Sequence, residues 1–160
     1  MQLSHYVTPH SIIVPLKGKT KEDVLAELVR ALAEQNGLEG RTSELQNEIE
    51  QREALASTFL PMGIALPHAR IPGIDDILMI MGISPQGIVD EHAIMPMTAK
   101  VFFLFFSPTH EKEFGKHLKL LAQISGIFSD TDLAGELSRM TDRDEIFSRI
   151  QKREREIEQR

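Results

Sequence analysis

The chain has 160 residues, 41% of them hydrophobic and 26% charged, a formal net charge of −6 and no cysteine. A chain of this length buries roughly 70% of its unfolded surface in folding, and the composition is that of an ordinary soluble globular protein. The lack of cysteine removes disulfides, thiolate nucleophiles and thiolate-bound zinc. The negative balance, with no basic block before the C-terminal tail, argues against nucleic acid as a partner. The first residues lack the charged-then-apolar pattern of a secretory signal. The longest apolar runs, residues 77–83 and 101–106, fall far short of the ~20 residues of a membrane helix. A cytoplasmic protein with no direct membrane insertion is expected.

Residues 1–10 carry little pattern. Residues 11–16 (Ser-Ile-Ile-Val-Pro-Leu) predict a short first strand at a sheet edge, because Pro15 cannot donate to a ladder. Thr20 with Asp23 resembles a helix-start box, and Val24, Leu25, Leu28, Val29 and Leu32 follow at helical spacing up to Asn36-Gly37. A second capped start is expected at Thr42. It opens a mostly polar surface helix through Leu45, Ile49, Arg52, Glu53 and Leu55 that ends at Ser57-Thr58. Phe59-Leu60-Pro61-Met62 is expected as a linker. Residues 63–70 (Gly-Ile-Ala-Leu-Pro-His-Ala-Arg) then predict a short buried strand that Pro67 stiffens just before His68. Ile71-Pro72-Gly73 marks a turn, residues 77–83 a strand, and residues 84–97 a loop containing Pro85, Gly87 and Pro96. Residues 99–107 are apolar on both faces, as expected of a central strand covered on both sides.

Helical periodicity returns over 111–128, with Phe114, His117, Leu118, Leu121, Ile124 and Phe128 on one side. Two further helices are expected at 130–140 and 141–150. Residues 151–160 are almost wholly polar and of mixed charge, which predicts a solvated helical C-terminal extension to a domain of residues 1–150. Strands and helices alternate without an internal repeat. The expected fold class is α/β, a layered sandwich with a mixed parallel/antiparallel sheet flanked by helices.

Six histidines are the residues best able to carry chemistry. No histidine pair with helical zinc-ligand spacing occurs, no Gly-x-Ser-x-Gly elbow, and no glycine-rich phosphate loop before a helix. A metal site would draw on His68, His92 and His117, but no metal or other cofactor is expected. His68 sits where the backbone is stiff. His117 lies on the apolar side of its helix, where an imidazole either bonds a backbone carbonyl or helps orient a neighbouring group. The default for Arg52 and Glu53 is a solvated charge pair, and for Ser57 and Thr58 plain helix-end roles.

In order, Arg52-Glu53, Ser57-Thr58, Gly63-x-Ala65-x-Pro67-His68-Ala69-Arg70 and His117-Leu118-x-x-Leu121-Ala122 resemble a known pattern. It is that of the enzyme IIA domain of the fructose/mannitol type in the phosphoenolpyruvate-dependent sugar phosphotransferase system, a family that includes the nitrogen-regulatory IIA-like proteins. The resemblance runs from about Ser11 to Ile150 and is most specific at the Pro-His block with its upstream Arg-Glu. It implies that His68 accepts a phosphoryl group from an HPr-like phosphocarrier protein and passes it to a IIB domain or uses it as a signal to a regulated transporter or kinase. It implies that His117 lies beside His68 and helps hold that group, that Arg52 faces its oxygens, and that Ser57 or Thr58 adds a hydroxyl. Arginine suits this role because its planar fork pairs with phosphoryl oxygens. No metal is required if Arg52 and local amides cover those oxygens. Two departures stand out: Phe59 and Pro61 occupy places where the family commonly has glycine. No IIB- or IIC-like segment is attached, which leads us to expect a free-standing protein, either a transport component or a regulator.

Overall fold

A computed structural model describes residues 2–159 of the chain. Its strands are β1 (Ile12–Ile13), β2 (Phe59–Leu60), β3 (Ile64–Ala65), β4 (His68–Ile71), β5 (Leu78–Asp90) and β6 (Met97–Pro108). Its helices are α1 (Lys21–Gln35), α2 (Thr42–Leu55), α3 (Phe114–Phe128), α4 (Leu133–Ser138) and α5 (Arg143–Glu158), with short 3₁₀ turns between some elements. The sheet order is β1-β5-β6-β3-β2, with β4 also pairing with β6. The sheet is mixed, as expected: β1 runs parallel to β5, β3 and β4 parallel to β6, while β5 is antiparallel to β6 and β2 to β3.

The apolar run of β6 divides by the strand period of two. Val101, Phe103 and Phe105 point into a core shared with Leu120 and Ile124 of α3 and Ile146 of α5. Phe102, Leu104 and Phe106 enter a second core with Leu28 and Leu32 of α1 and Ile49 of α2. A central strand covered on both faces has no solvent side, which is why it carries no polar alternation.

Several boundaries differ from the sequence reading. The expected loop at 84–97 is mostly strand: β5 continues to Asp90, and Pro85 and Gly87 fall at a register shift between Ile83 and Ile88. A bulge accommodates a proline and a positive-φ glycine (Gly87 at +83°) that an unbroken ladder would not. The expected linker at 59–62 contains β2, paired with β3 in a hairpin that turns at Gly63, whose φ is +87°. Phe59 is buried there, edge-on to Phe102 with centroids 5.6 Å apart. The first strand lies at an edge as expected but is only two residues long; beyond Pro15, the Leu16 amide donates to the Ile83 carbonyl at 2.7 Å.

Thr20 caps α1, accepting the Asp23 amide at 3.1 Å. Thr42 caps nothing: it is the first residue of α2, and its hydroxyl donates back to the Glu39 carbonyl at 2.9 Å. The last two helices are shifted, with α4 beginning at Leu133 and α5 crossing position 150 without a break.

The segment beyond Ile150 is helical but is not simply solvated. Arg153 and Glu154 are buried. Arg153 donates to the Ile127 carbonyl at 2.9 Å and the Ser129 carbonyl at 3.0 Å. The end of α3 leaves carbonyls without intrahelical partners, and a guanidinium is well shaped to collect two of them. Met1 of the N-terminal segment and Arg160 of the extension lie outside the described residues.

Candidate functional site

Strand register assembles the site. His68, the first residue of β4, pairs with Phe105 of β6, and Arg70 pairs with Ser107. Residues two apart on a strand share a face, so these four side chains lie on the side covered by α3. The His68 ring stacks on Phe105 at 5.2 Å, with an interplanar angle of 14°. From α3, His117 meets the His68 ring at a centroid distance of 5.0 Å and 68°. The two histidines singled out in the sequence are therefore neighbours, although 49 positions separate 68 from 117.

Both imidazoles are buried. The Nδ1 of His68 lies 2.6 Å from the Leu66 carbonyl oxygen. A carbonyl only accepts, so Nδ1 carries the proton and Nε2 keeps its lone pair. Pro67 fixes the backbone between donor and acceptor. The Nδ1 of His117 is 2.5 Å from Ser107 Oγ.

Burial lowers the His68 pKa below the usual imidazole range; the bond to Leu66 opposes that, and the Arg52 charge adds to it. His117 is pushed down to about 4, first by burial and then by the neighbouring His68, Arg70 and Arg52. Both rings are neutral at pH 7.

Two guanidiniums flank the pair. Arg52, half-buried near the end of α2, donates to the Ala56 carbonyl at 3.0 Å, and its field reaches both histidines. Arg70 donates to the carbonyls of Pro108 at 3.3 Å and His110 at 3.0 Å, and its guanidinium lies 5.0 Å from the Phe114 ring centroid. Its remaining terminal nitrogen makes no hydrogen bond to a described residue.

Ser57 and Thr58 lie in a different arrangement. The Ser57 hydroxyl donates to Asp90 at 2.5 Å, and Thr58 gives both its hydroxyl and its amide to Glu53. Lys21 bridges the two carboxylates, 2.8 Å from Glu53 and 2.9 Å from Asp90. Glu53, expected as a solvated partner of Arg52, is buried and pairs with Lys21 instead. It lies on the inner side of α2, one position round from Arg52, so the two point apart.

Sequence reasoning missed Arg70, Ser107, Phe105 and Lys21. Arg70 had a signal, since it follows His68 by two in a strand. Ser107 and Phe105 required the β4–β6 register, and Lys21 required α1 to pack beside α2. Among the described residues, no three His, Asp or Glu side chains converge in a way that would hold a metal ion. His92 lies beyond Asp90, where its amide donates to Asp90 at 3.1 Å. Among the described residues no helix is long and apolar enough to cross a membrane.

A pair of neutral, oriented imidazoles flanked by guanidiniums suits a nucleophile that receives an anionic group. The chain matches the family described as phosphoenolpyruvate-dependent sugar phosphotransferase system, EIIA 2, over residues 5–153, and it belongs to that family. Its place is thus that of a IIA phosphotransfer component, in a phosphocarrier or regulatory role.

Among its relatives, a nitrogen regulatory protein of Bradyrhizobium diazoefficiens is 30% identical over 92% of this chain and 94% of its own length. The fructose-specific EIIABC component of Bacillus subtilis is 27% identical over 94% of this chain, which spans only 23% of that protein. The fold is similar to that of the nitrogen regulatory protein IIA-Ntr of Neisseria meningitidis, with a TM-score of 0.80 at 20% identity over 92% of this chain and 98% of that one. It is also similar to the mannitol IIA of Escherichia coli, with a TM-score of 0.71 at 18% identity over 90% of this chain and 98% of that one.

Proposed function

We propose that His68 is the phosphoryl acceptor of a cytoplasmic phosphohistidine carrier. The observation that carries this reading is the 2.6 Å contact between His68 Nδ1 and the Leu66 carbonyl, which leaves Nε2 as the nucleophile of a neutral ring. The Nε2 lone pair attacks phosphorus in the phosphohistidine of an HPr-like carrier. A new N–P bond forms while the donor's N–P bond breaks, and the donor nitrogen leaves with the electron pair. The reverse geometry then passes the group to a IIB domain. Such in-line transfer asks the protein mainly for position and charge.

His117 holds a phosphoryl oxygen. If Ser107 donates to its Nδ1, the proton sits on Nε2 and can be offered to the group. Arg52 and the unengaged nitrogen of Arg70 neutralise the added charge. Ser57 and Thr58 complete the phosphate site through their loop; their hydroxyls bond Asp90 and Glu53, so a direct bond to phosphate requires one of them to release its carboxylate. Phe114 and Leu118 of α3, both large and partly exposed, form the apolar rim on which a carrier protein docks.

A second reading, in which His68 phosphorylation switches a regulatory contact, is favoured by the relative matched along nearly its whole length, a nitrogen regulatory protein. A phosphoryl group adds roughly −1.5 to −2 charge to that surface. Support for onward transfer comes from a structural neighbour, the E. coli IIAMTL solved in complex with phosphorylated enzyme IIBMTL, at a TM-score of 0.68 and 17% identity.

Incubation with phosphorylated HPr tests the proposal. The expected label is acid-labile, base-stable and absent from His68→Ala, whereas undiminished labelling of that variant overturns it. Phosphorylation-dependent capture of a partner, without transfer to any IIB, selects the regulatory form.

A further inference from the structure

Away from the histidines, a cavity of about 840 Å³ opens between the start of α1, the end of α2 and the turn joining β5 to β6. None of His68, His117, Arg52 or Arg70 lines it. Around it stand three of the most exposed large apolar side chains of the described residues: Leu55 at 83%, Ile94 at 104% and Met95 at 73%. Exposed apolar side chains gathered round one concavity mark an interaction site far more often than scattered ones do, and methionine adapts to varied partners.

The charge of the lining is one-sided. Glu22, Glu50, Glu53 and Asp90 face a single cation, Lys21, and Lys21 is consumed by Glu53 and Asp90. Glu22 and Glu50 make no salt bridge among the described residues, and Glu50 accepts only a neutral bond from Gln46 at 3.1 Å. An apolar depression with an acidic rim fits a group that is apolar at its centre and positive at its edges. A second copy of this chain fits poorly, because a two-fold contact would set the same carboxylates against each other on a chain of charge −6.

We propose that this cavity docks a partner protein through an amphipathic helical segment, with apolar anchors entering between Leu55 and Ile94 and flanking Lys or Arg meeting Glu22 and Glu50. The surface excludes both histidines and both arginines and meets the phosphoryl site only at the Ser57 loop, where Ser57 lines the cavity with its hydroxyl on Asp90; it needs no phosphorylation to bind.

The probe is a short fluorescent peptide of leucine and lysine at helical spacing, with a glutamate-for-lysine counterpart as control, titrated against the full chain and followed by anisotropy and amide NMR. Saturable binding with shifts centred on the end of α2 and the β5–β6 turn is expected, weakened by salt and absent for the acidic counterpart. Leu55→Glu or Ile94→Glu, both at exposed positions, should weaken it by roughly tenfold or more. Glu50→Lys should weaken it several-fold and reduce its salt dependence, a second readout that does not rely on the apolar variants. Equal affinity in these variants, equal binding of the acidic peptide, or shifts centred on α3 overturns the proposal. So does self-association of the free chain that Leu55→Glu abolishes, which assigns the face to a second copy.

Discussion

Two polar clusters lie on opposite sides of the sheet, and they solve burial in opposite ways. Between the sheet and α3, His68 and His117 are kept neutral: burial and nearby guanidiniums hold both pKa values low, and among the described residues no carboxylate pairs with either ring. Between α1, α2 and the sheet, Lys21, Glu53 and Asp90 keep their charges and satisfy one another, with Ser57 and Thr58 filling the remaining acceptor positions. A paired charge cluster is rigid and chemically quiet. A neutral imidazole with a free lone pair is ready to react. The paired cluster fixes Ser57 and Thr58, so the quiet side supports the loop that leads from Arg52 towards the reactive side.

Breaking the paired cluster should have the largest effect on stability. Lys21→Met leaves two buried carboxylates without a cation, and urea denaturation should show a loss of about 3 kcal/mol. The same variant changes acid sensitivity. Burial pushes the Asp90 carboxyl up, but the Ser57 hydroxyl, Lys21 and the His92 amide outweigh that and hold it below the usual range. A folded-state pKa below the unfolded value of about 3.9 means that Asp90 stabilises fully above about pH 4 and loses this as pH falls through the lower folded value. Without Lys21 the loss should begin at higher pH. Unchanged acid sensitivity in Lys21→Met would show that the cluster is not coupled in this way.

The neutral pair should show a pH dependence in a different window. With His117 at about 4 when folded and about 6.5 when unfolded, the native state binds fewer protons between these values. Stability should therefore fall as pH drops from about 6.5 to about 4, by up to about 1.4 kcal/mol per pH unit. His117→Phe, which fills the space without titrating, should flatten that slope in denaturation curves taken across the range.

The smallest effect separates position from chemistry. Ser107→Ala removes the bond to His117 and should cost about 1 kcal/mol of stability. Phosphoryl acceptance should slow several-fold in kcat with KM for the donor unchanged, and Ser107→Thr should restore it. A KM effect alone would instead place Ser107 in donor docking.

The sequence announced the candidate site more clearly than the boundaries of the fold. Pro67-His68 and the apolar setting of His117 are local features, since a proline stiffens its neighbours and helical spacing shows which side a residue faces. The β5 extension was hidden because Pro85 and Gly87 look the same in a loop and at a bulge, and only pairing with β6 tells them apart. Arg153 and Glu154 looked solvated because a charged residue gives no sign of the distant carbonyls or amides waiting for it.

By itself, the sequence determined that β6 is central, that α1 begins at Thr20 and α3 carries an apolar side, and that His68 is held stiffly; each follows from propensity and periodicity within a few residues. Tertiary structure alone decided that His68 lies against His117, that Arg70 and Ser107 join them, and that Glu53 turns from Arg52 to Lys21. Those are facts of register and packing between segments far apart in the chain, and no local preference encodes them.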